Sequence, residues 1–448
     1  MALRAVAGAT ASLPLLFALG MAARALGAGD ATDAAHTAED FAFHGEITYT
    51  EQDTDRFRSP YTGANSLRPG RGAETTDIAA FIGQRLWPGA EIWINPEIDQ
   101  GFGLDDTVGV AGFPSGEAYK IGKNQPYPRL QQLFIRESLD LGGVRQDIEP
   151  SQLQLGGTQS ADRLVLTLGK ISVIDIFDNN TYAHDPRNDF LNWAIIDAGT
   201  FDYAADAWGY TVGAAAEWYR RSWVLRFGVF DLSNVPNSPD LEPAFHEFQL
   251  DGEIEKDYQV LDAAGKVRVT AYLSRGRMGT LDQAIALAQS NGGVPSLAAV
   301  RRYRSRAGVG LDLEQRLAGD LGAFLRAGKS DGHVEVYEFT DIDRTTSGGV
   351  SLQGARWSRP DDTLGVAGDL NWISGERQAY LNAGGLGVLV GDGRLPHAGP
   401  ERILESYYSI AALRSVRVTL DYQLIANPAY NRDRGPASVY ALRVHAQF

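Results

Sequence analysis

The feature that most constrains the fold is a segment of about ten residues, alternating apolar and polar side chains, that recurs along the chain. In "FAFHGEITYT", one face carries Phe41, Phe43, Ile47 and Tyr49. The stretches "GYTVGAAAEW", "SWVLRFGVFD", "KVRVTAYLSR" and "VRVTLDYQLI" repeat the pattern. A period of two residues is that of a β-strand with one apolar face, not that of a helix. The chain is therefore predicted to be all-β.

The length of the segments separates two all-β architectures. About seventeen segments lie between Phe41 and Phe448, divided by turn sequences such as Pro88-Gly89. Strands of soluble sandwiches average about 5–6 residues, whereas tilted strands that cross a bilayer need about 9–11. The segments thus favour a transmembrane antiparallel up-and-down β-barrel over two soluble β-sandwiches. Aromatic girdles of such barrels account for tryptophans near segment ends, namely Trp87, Trp193, Trp208, Trp218, Trp223, Trp357 and Trp372.

Long and short connections alternate along the chain. Residues 52–74, 97–127 and 173–191 form long connections, as expected when the loops of one barrel end face the outside. Residues 142–161 and the region of "TLDQAIALAQS" also look long, although they fall on the nominally short side. The latter stretch has apolar residues at helical spacing and predicts one short connecting helix, capped by Thr280.

The N-terminus predicts export. Arg4, an apolar stretch and small residues before Asp30 are typical of a secretory signal peptide over residues 1–28. Residues 29–40 are small and polar, which predicts a flexible segment, and residues 41–448 are predicted to form a single barrel domain. The location is then periplasm, outer membrane or medium.

Charge and composition exclude several partners and sites. A net charge of −15 argues against nucleic acid as a partner. The one basic stretch, Arg301–Arg306, is interpreted as a solvated strand or turn face. The absence of Cys excludes a disulfide scaffold and a thiolate metal site. With scattered His and none of the common hydrolase or phosphate-binding motifs, the chain is predicted to be no enzyme and to hold no cofactor or metal.

Five stretches resemble one known family. They are "QRLWPGAEIWINPEID", "GVAGFPSGEAYK", "LTLGKISVIDIFDNNTYAHDPRNDFLNWAI", "FDYAADAWGYT" and "NPAYNRDRGPASVYALRVHAQF". These are similar to the carbohydrate-selective porin (OprB-like) family, over roughly residues 41–448. The resemblance implies sixteen strands, with eighteen also compatible with the count. It further implies passive diffusion of small sugars, often glucose, across the outer membrane of a Gram-negative bacterium.

A sugar pore needs loops that narrow the lumen and polar groups that exchange hydrogen bonds with hydroxyls. The polar stretch from Asp175 to Trp193 is the best candidate for such a constriction, although its residues could instead hold a surface loop together. The predicted constriction residues here are Asp178, Asn180, Tyr182, His184, Asp185, Arg187, Asp189 and Trp193. A second long loop contributes Glu97 and Glu117, and the strand after it Arg129 and Arg136, with plain lumen-wall solvation as the alternative. Trp93, Tyr182 and Trp193 are candidates for stacking on sugar rings.

The final strand, "ASVYALRVHAQF", predicts a lipid-facing row of Tyr440, Leu442, Val444, Ala446 and Phe448. Arg443, His445 and Gln447 then face the lumen or its rim. By resemblance to other such barrels, Tyr440, Leu442, Val444 and Phe448 form the signal that the barrel assembly machinery recognises. Outer-membrane lipid and lipopolysaccharide are the other expected partners, and a monomer and a homotrimer both stay open.

Two other functions stay open at this point. The many acid pairs expected among 56 Asp and Glu are compatible with an exported carbohydrate-active enzyme. A non-conducting envelope barrel with a plugged lumen is the other alternative.

Overall fold

The computed structural model describes residues 38–260 and 262–448. The predicted signal peptide, residues 1–28, lies outside the described residues, as do residues 29–37 of the predicted flexible segment. From Phe41 onward the chain forms one antiparallel sheet. Its strands are β1 (Phe41–Thr54), β2 (Gly72–Trp87), β3 (Ala90–Gly101), β4 (Lys123–Ile148), β5 (Gly157–Ile171), β6 (Thr211–Arg220), β7 (Trp223–Asp231), β8 (Phe248–Val260), β9 (Ala263–Met278), β10 (Arg302–Arg316), β11 (Leu321–Ser330), β12 (Arg344–Gly354), β13 (Arg359–Trp372), β14 (Glu401–Leu413), β15 (Val416–Ala426) and β16 (Ala437–Gln447).

Each strand pairs with its neighbours in chain order, and β16 also pairs with β1, which closes the sheet into a barrel. The predicted antiparallel barrel of sixteen strands is confirmed. The sequence count of about seventeen segments is slightly too high. An even number of strands makes the closing pair of β1 and β16 antiparallel like all the other pairs, as in bacterial outer-membrane barrels.

The two ends of the barrel differ in the length of their connections. At the turn end, β2 and β3 are joined by Pro88-Gly89 alone. At the loop end, the connections include residues 55–71, 102–122, 172–210 and 373–400. Outer-membrane barrels have short periplasmic turns and longer extracellular loops.

The sequence predicts two long connections at the end of the barrel that otherwise has short turns. The hairpin between β4 and β5 does lie at the turn end, and its Gln152 reaches into the lumen to contact Glu46. The helical connection between β9 and β10, residues 279–301, lies at the loop end instead. That placement was wrong, because four strands, β6 to β9, separate this connection from the loop-end connection 172–210, and an even number of strands returns the chain to the same end.

Side chains alternate between the outer wall and the interior along the strands. On β16, Tyr440 is 55% exposed on the outer wall, whereas Arg443 and His445 are buried inside. On β1, Phe43 faces outward and Glu46 inward. An apolar exterior around a polar interior is the arrangement expected of a barrel that faces lipid.

The loop between β5 and β6 enters the barrel. Residues 172–210, here called the inner loop, join β5 to β6 and bury apolar side chains against the inner wall. The ring centroids of Phe190 and Tyr407 on β14 are 4.9 Å apart, and those of Phe177 and Phe230 on β7 are 6.0 Å apart. The predicted inward-folding loop is confirmed.

Three α-helices lie in the connections of the described residues. They are α1 (Trp193–Ile196), α2 (Leu281–Asn291) and α3 (Gly375–Asn382). The predicted helix is α2, and it ends at Gly292, whose φ of 68° suits glycine. Thr280 is the N-cap residue, as predicted, although its side chain makes no capping hydrogen bond. In the part of the chain that is described, none of the helices is long and apolar enough to cross a membrane.

Candidate functional site

Arg326 of β11 anchors the inner loop to one part of the inner wall. Its guanidinium donates to the carbonyl oxygens of Ile195 at 2.7 Å, Ala183 at 2.9 Å and Asp178 at 3.1 Å. The fixed fork of five N–H donors allows one arginine to bind several carbonyls at once. Hydrogen bonds to a charged group contribute about 1.5–3 kcal/mol each. Arg326 therefore fixes both ends of the polar stretch predicted as the constriction.

Strands β14 and β16 hold the middle of the same loop from another part of the inner wall. Arg443 of β16 donates to the carbonyl oxygens of Pro186 and, at 2.9 Å, of Asp189. Glu405 of β14 accepts from the backbone amides of Leu191 at 2.5 Å and Asn192 at 3.1 Å. Charged wall residues thus satisfy backbone groups that irregular structure leaves unpaired, and they define where the segment around residue 187 lies.

Arg187 lies at the centre of a ring of carboxylates. Its guanidinium is 3.1 Å from Glu117, 3.3 Å from Glu97 and 3.5 Å from Asp77, and it also contacts Glu46. Burial disfavours the charged guanidinium, but the four carboxylates outweigh burial and raise the pKa of Arg187 well above its ordinary value. Because carboxylates outnumber the cation, the ring is acidic. We call these five residues the acidic ring.

Two aspartates shape the backbone around Arg187. Asp185 accepts from the Arg187 amide at 2.9 Å and from the Asn188 side chain at 2.8 Å. Burial opposes ionisation of Asp185, yet the hydrogen bond from Asn188 and the charge of Arg187 lower its pKa. Asp189 accepts from the amides of His184 and Asp185. Burial, helped by the charge of Asp185, raises the pKa of Asp189 to about 6.

A cavity of about 420 Å³ lies beside the acidic ring. Its lining reaches from Gln152 and Leu153 in the turn-end hairpin to Asn237 and Val388 at the loop end. The cavity therefore follows the interior of the barrel from one end toward the other. Among residues 38–260 and 262–448, no group of three His, Asp or Glu side chains could hold a metal ion.

Aromatic rings line part of this cavity. Trp193 and Phe113 stack with centroids 5.5 Å apart and planes at 5°, and Tyr203 and Phe339 pack edge-on at 4.8 Å. Further along, the guanidinium of Arg129 lies 3.2 Å from the ring centroid of Trp208. The girdle interpretation of Trp193 and Trp208 was wrong, because both belong to the inner loop and lie inside the barrel.

The predicted site residues divide into those that line the cavity and those that support it. The cavity is lined by Glu97, Glu117, His184, Asp185, Arg187 and Trp193. Asp178, Asn180 and Asp189 instead bind the loop or the wall, as Asn180 does by donating to Asp312 at 2.9 Å. Glu97 lies on β3, not in a loop as predicted.

The remaining predicted residues have separate places. Tyr182 lines a second cavity of about 520 Å³ near the turn end. Arg129 pairs with Asp206 at 3.1 Å, and Arg136 pairs with Glu91 inside the barrel. Trp93, a candidate for stacking on sugar, is fully buried on the inner wall of β3 and has its ring over Gly83.

Sequence reasoning missed two members of the acidic ring, Glu46 and Asp77. Strand parity contains the signal that could have found them. Phe43 and Ile47 face outward on β1, so Glu46 must face inward, and the same argument applies to Asp77 beside Ile78 on β2. What parity cannot reveal is which inward carboxylates meet a particular loop arginine.

The stretch Arg301–Arg306 was interpreted as a solvated face, and this is wrong for Arg306. Arg306 is fully buried, 3.2 Å from Asp202 of the inner loop, and it donates to the hydroxyl of Tyr272 at 2.8 Å. The reason is strand parity again, because Arg306 points into the barrel while Ser305 points out.

Comparisons with known proteins agree with this architecture. A family model described as carbohydrate-selective porin, OprB family, matches residues 75–448. The high-pH structure of OprB from Pseudomonas putida superposes with a TM-score of 0.69 at 15% identity, covering 91% of this chain and 94% of that chain. The outer membrane channel DcaP of Acinetobacter baumannii gives a TM-score of 0.51 at 10% identity, covering 91% and 97%.

At such identities the solved structures show a shared fold, and no curated protein sequence matches significantly. The match of the family model shows the family as well as the fold, because it covers most of the chain, from β2 to β16 with the inner loop. The chain belongs to the OprB family of carbohydrate-selective porins.

Proposed function

We propose that this outer-membrane porin passes small neutral sugars, glucose among them, by diffusion past the acidic ring. The observation that carries the proposal is the cavity of about 420 Å³ with the Arg187 cluster on its wall. This volume lies at the lower end of the range of roughly 300–1,000 Å³ for small-molecule sites. It suits one monosaccharide better than a longer glycan.

The chemistry of the lining supports an uncharged polyhydroxylated cargo. Carboxylates such as Glu97 and Glu117 accept hydrogen bonds from hydroxyls, and Arg187 donates them. Apolar faces of sugar rings pack on aromatic rings, which Trp193, Tyr203 and Phe339 supply. Each contact exchanges with water, so binding stays weak enough for the sugar to leave.

Liposome swelling and planar-bilayer recording test the proposal. The purified protein should cause swelling with glucose and other hexoses, and swelling should fall steeply for trisaccharides. Swelling that is absent for every sugar, together with no open-channel current, would support the non-conducting barrel. Glycan hydrolysis lost on replacing one carboxylate would support an enzyme.

We propose further that the last strand is the segment read by the barrel assembly machinery. In support, Phe448 and Gly45 exchange two backbone hydrogen bonds of 3.0 Å at the β1–β16 closure. Closing the barrel requires β16 to pair with β1 as well as with β15, so the machinery can recognise β16 before that closing pair forms.

A further inference from the structure

Two cations face each other on the outer wall near the loop end. Lys329 of β11 is directly opposite Arg344 of β12 in the register of the two strands. Both side chains are exposed, whereas their neighbours Ser330 and Thr345 are buried inside. Strand parity therefore directs Lys329 and Arg344 outward, toward the membrane side of the barrel.

The patch continues over the next two strands. Arg344 is opposite Trp372 of β13, and Arg402 of β14 is opposite Leu370, two residues before Trp372. Arg402 is exposed as well. We call Lys329, Arg344, Trp372 and Arg402 the outer cation patch.

No carboxylate neutralises this patch. Within residues 38–260 and 262–448, the side chains of Lys329, Arg344 and Arg402 form no ion pair or hydrogen bond. Directly opposite residues have Cβ atoms about 4.5–5.5 Å apart, and like charges in that position are destabilising. Many other arginines of this chain are paired, as Arg277 is with Glu247 at 3.4 Å. An unpaired Lys–Arg pair on adjacent strands thus calls for an anion from outside the chain.

The position of the patch indicates the source of the anion. Below it on the same strands, Leu325, Val366 and Leu404 are exposed on the apolar band of the wall. Cations directly above that band, on the side of the long loops, lie at the level of the outer-leaflet headgroups. Their long stems can pack on the apolar wall while the charged ends reach the headgroups.

We propose that the outer cation patch binds the phosphate groups of a phosphorylated glycolipid in the outer leaflet. Arg344 and Arg402 can each bind a phosphate with two parallel N–H donors, and Lys329 adds a point charge. The indole of Trp372 suits the interface between acyl chains and headgroups. This site is independent of the proposed sugar passage, because it lies on the opposite face of the wall.

The rim at β1 and β2 does not offer the same chemistry. At the loop end of β1 and β2, Tyr49 donates to Glu74 at 3.1 Å and to Glu51 at 3.3 Å, which makes an acidic outer surface there. A lipid phosphate would be repelled from that side. Binding should therefore avoid the arc of β1 and β2.

The experiment compares lipid binding by two triple variants of the full chain in detergent. In K329Q/R344Q/R402Q the patch loses its charges, and in the control R220Q/R221Q/R414Q three exposed arginines of the turn end are replaced. Bis-phosphorylated and dephosphorylated lipid A are the probes, with native mass spectrometry and thermal unfolding as readouts. Unchanged sugar conductance of both variants verifies that the barrels are folded.

The parent and the control should bind the phosphorylated lipid equally, and the patch variant should bind it about tenfold more weakly, since each charge-assisted contact is strong. The difference should shrink at high salt. Equal binding by the patch variant, or by the dephosphorylated lipid, would overturn the proposal. If inorganic phosphate alone stabilised the parent protein as much as the phosphorylated lipid does, the assignment to a lipid would be overturned. A patch variant that lost self-association but bound the lipid as before would overturn it as well.

Discussion

The Nε atom of Arg187 lies 3.1 Å from a carboxylate oxygen of Glu117, and this contact joins the inner loop to the loop between β3 and β4. Two residues that lie 70 positions apart in the sequence thus meet inside the barrel. A substitution of Arg187 can therefore alter both the charge and the shape of the passage.

Replacing Arg187 with Gln should make the channel more cation-selective. Without the guanidinium, Glu46, Glu97 and Glu117 have no cation among them, so the wall of the passage loses one positive charge. Removing one partner of a buried ion pair typically costs about 3–5 kcal/mol. Reversal potentials under a salt gradient report the change in selectivity, and liposome swelling reports sugar flux.

The double variant R187Q/E117Q is the internal check, because it removes one charge of each sign. It should recover part of the parent's ion selectivity. The turn-end substitution Arg414→Gln should leave both readouts unchanged. Identical reversal potentials for the parent and R187Q would contradict the placement of the acidic ring on the ion path.

Replacing Arg326 with Met should release the inner loop and widen the channel. Three carbonyl acceptors lose their donor, at about 1.5–3 kcal/mol each before the loop relaxes. Single-channel conductance and current noise should rise, and larger sugars should enter. Arg268→Met is the matched control, since Arg268 is equally buried but binds the wall carboxylates of Glu255, Asp312 and Glu314. Equal conductance in both variants would refute the anchoring role.

Asp189 should make loop stability depend on pH. Its folded pKa of about 6 lies above the ordinary value near 4, so the folded state holds a proton that the unfolded state has released. This contribution to stability is fully present below pH 4 and is lost as the pH rises to 6 and above. Asp189→Asn, which keeps a carbonyl acceptor without the charge, should raise the apparent Tm by a few degrees at pH 7.5 and by little at pH 4. A larger gain at pH 4 would reverse the sign and refute the argument.

Deleting Phe448 should impair membrane insertion more than it changes sugar passage through the barrels that do insert. The ring of Phe448 lies over Gly45 on the outer wall, where a Cβ would overlap it, and its centroid is 6.2 Å from that of Phe43. The control is Phe41→Ala, which removes another exposed aromatic ring, on β1. The outer-membrane fraction and the heat-modifiable gel shift measure insertion. Normal insertion of the deletion variant would leave the residue with a packing role alone.

Much of the barrel could be read from local patterns. Alternation with a period of two depends only on which wall of a strand meets lipid, so the lipid-facing row from Tyr440 to Val444 and the inward Arg443 follow from parity. Helix α2 was found by its apolar spacing, while α3 was missed because its eight residues carry few apolar side chains. The polar inner loop was identified by its composition, but its members could not be sorted into lining and supporting residues.

That sorting depends on contacts between distant parts of the chain. Asp178 and Asp185 look alike in sequence, yet one meets Arg326 of the wall and the other lines the cavity. The sequence by itself determined the strand pattern, the polar interior and the loop that enters it, because each follows from local periodicity and composition. Only the tertiary structure decided that Arg187 meets carboxylates from β1, β2, β3 and a second loop, because closure of the barrel brings these strands around one point.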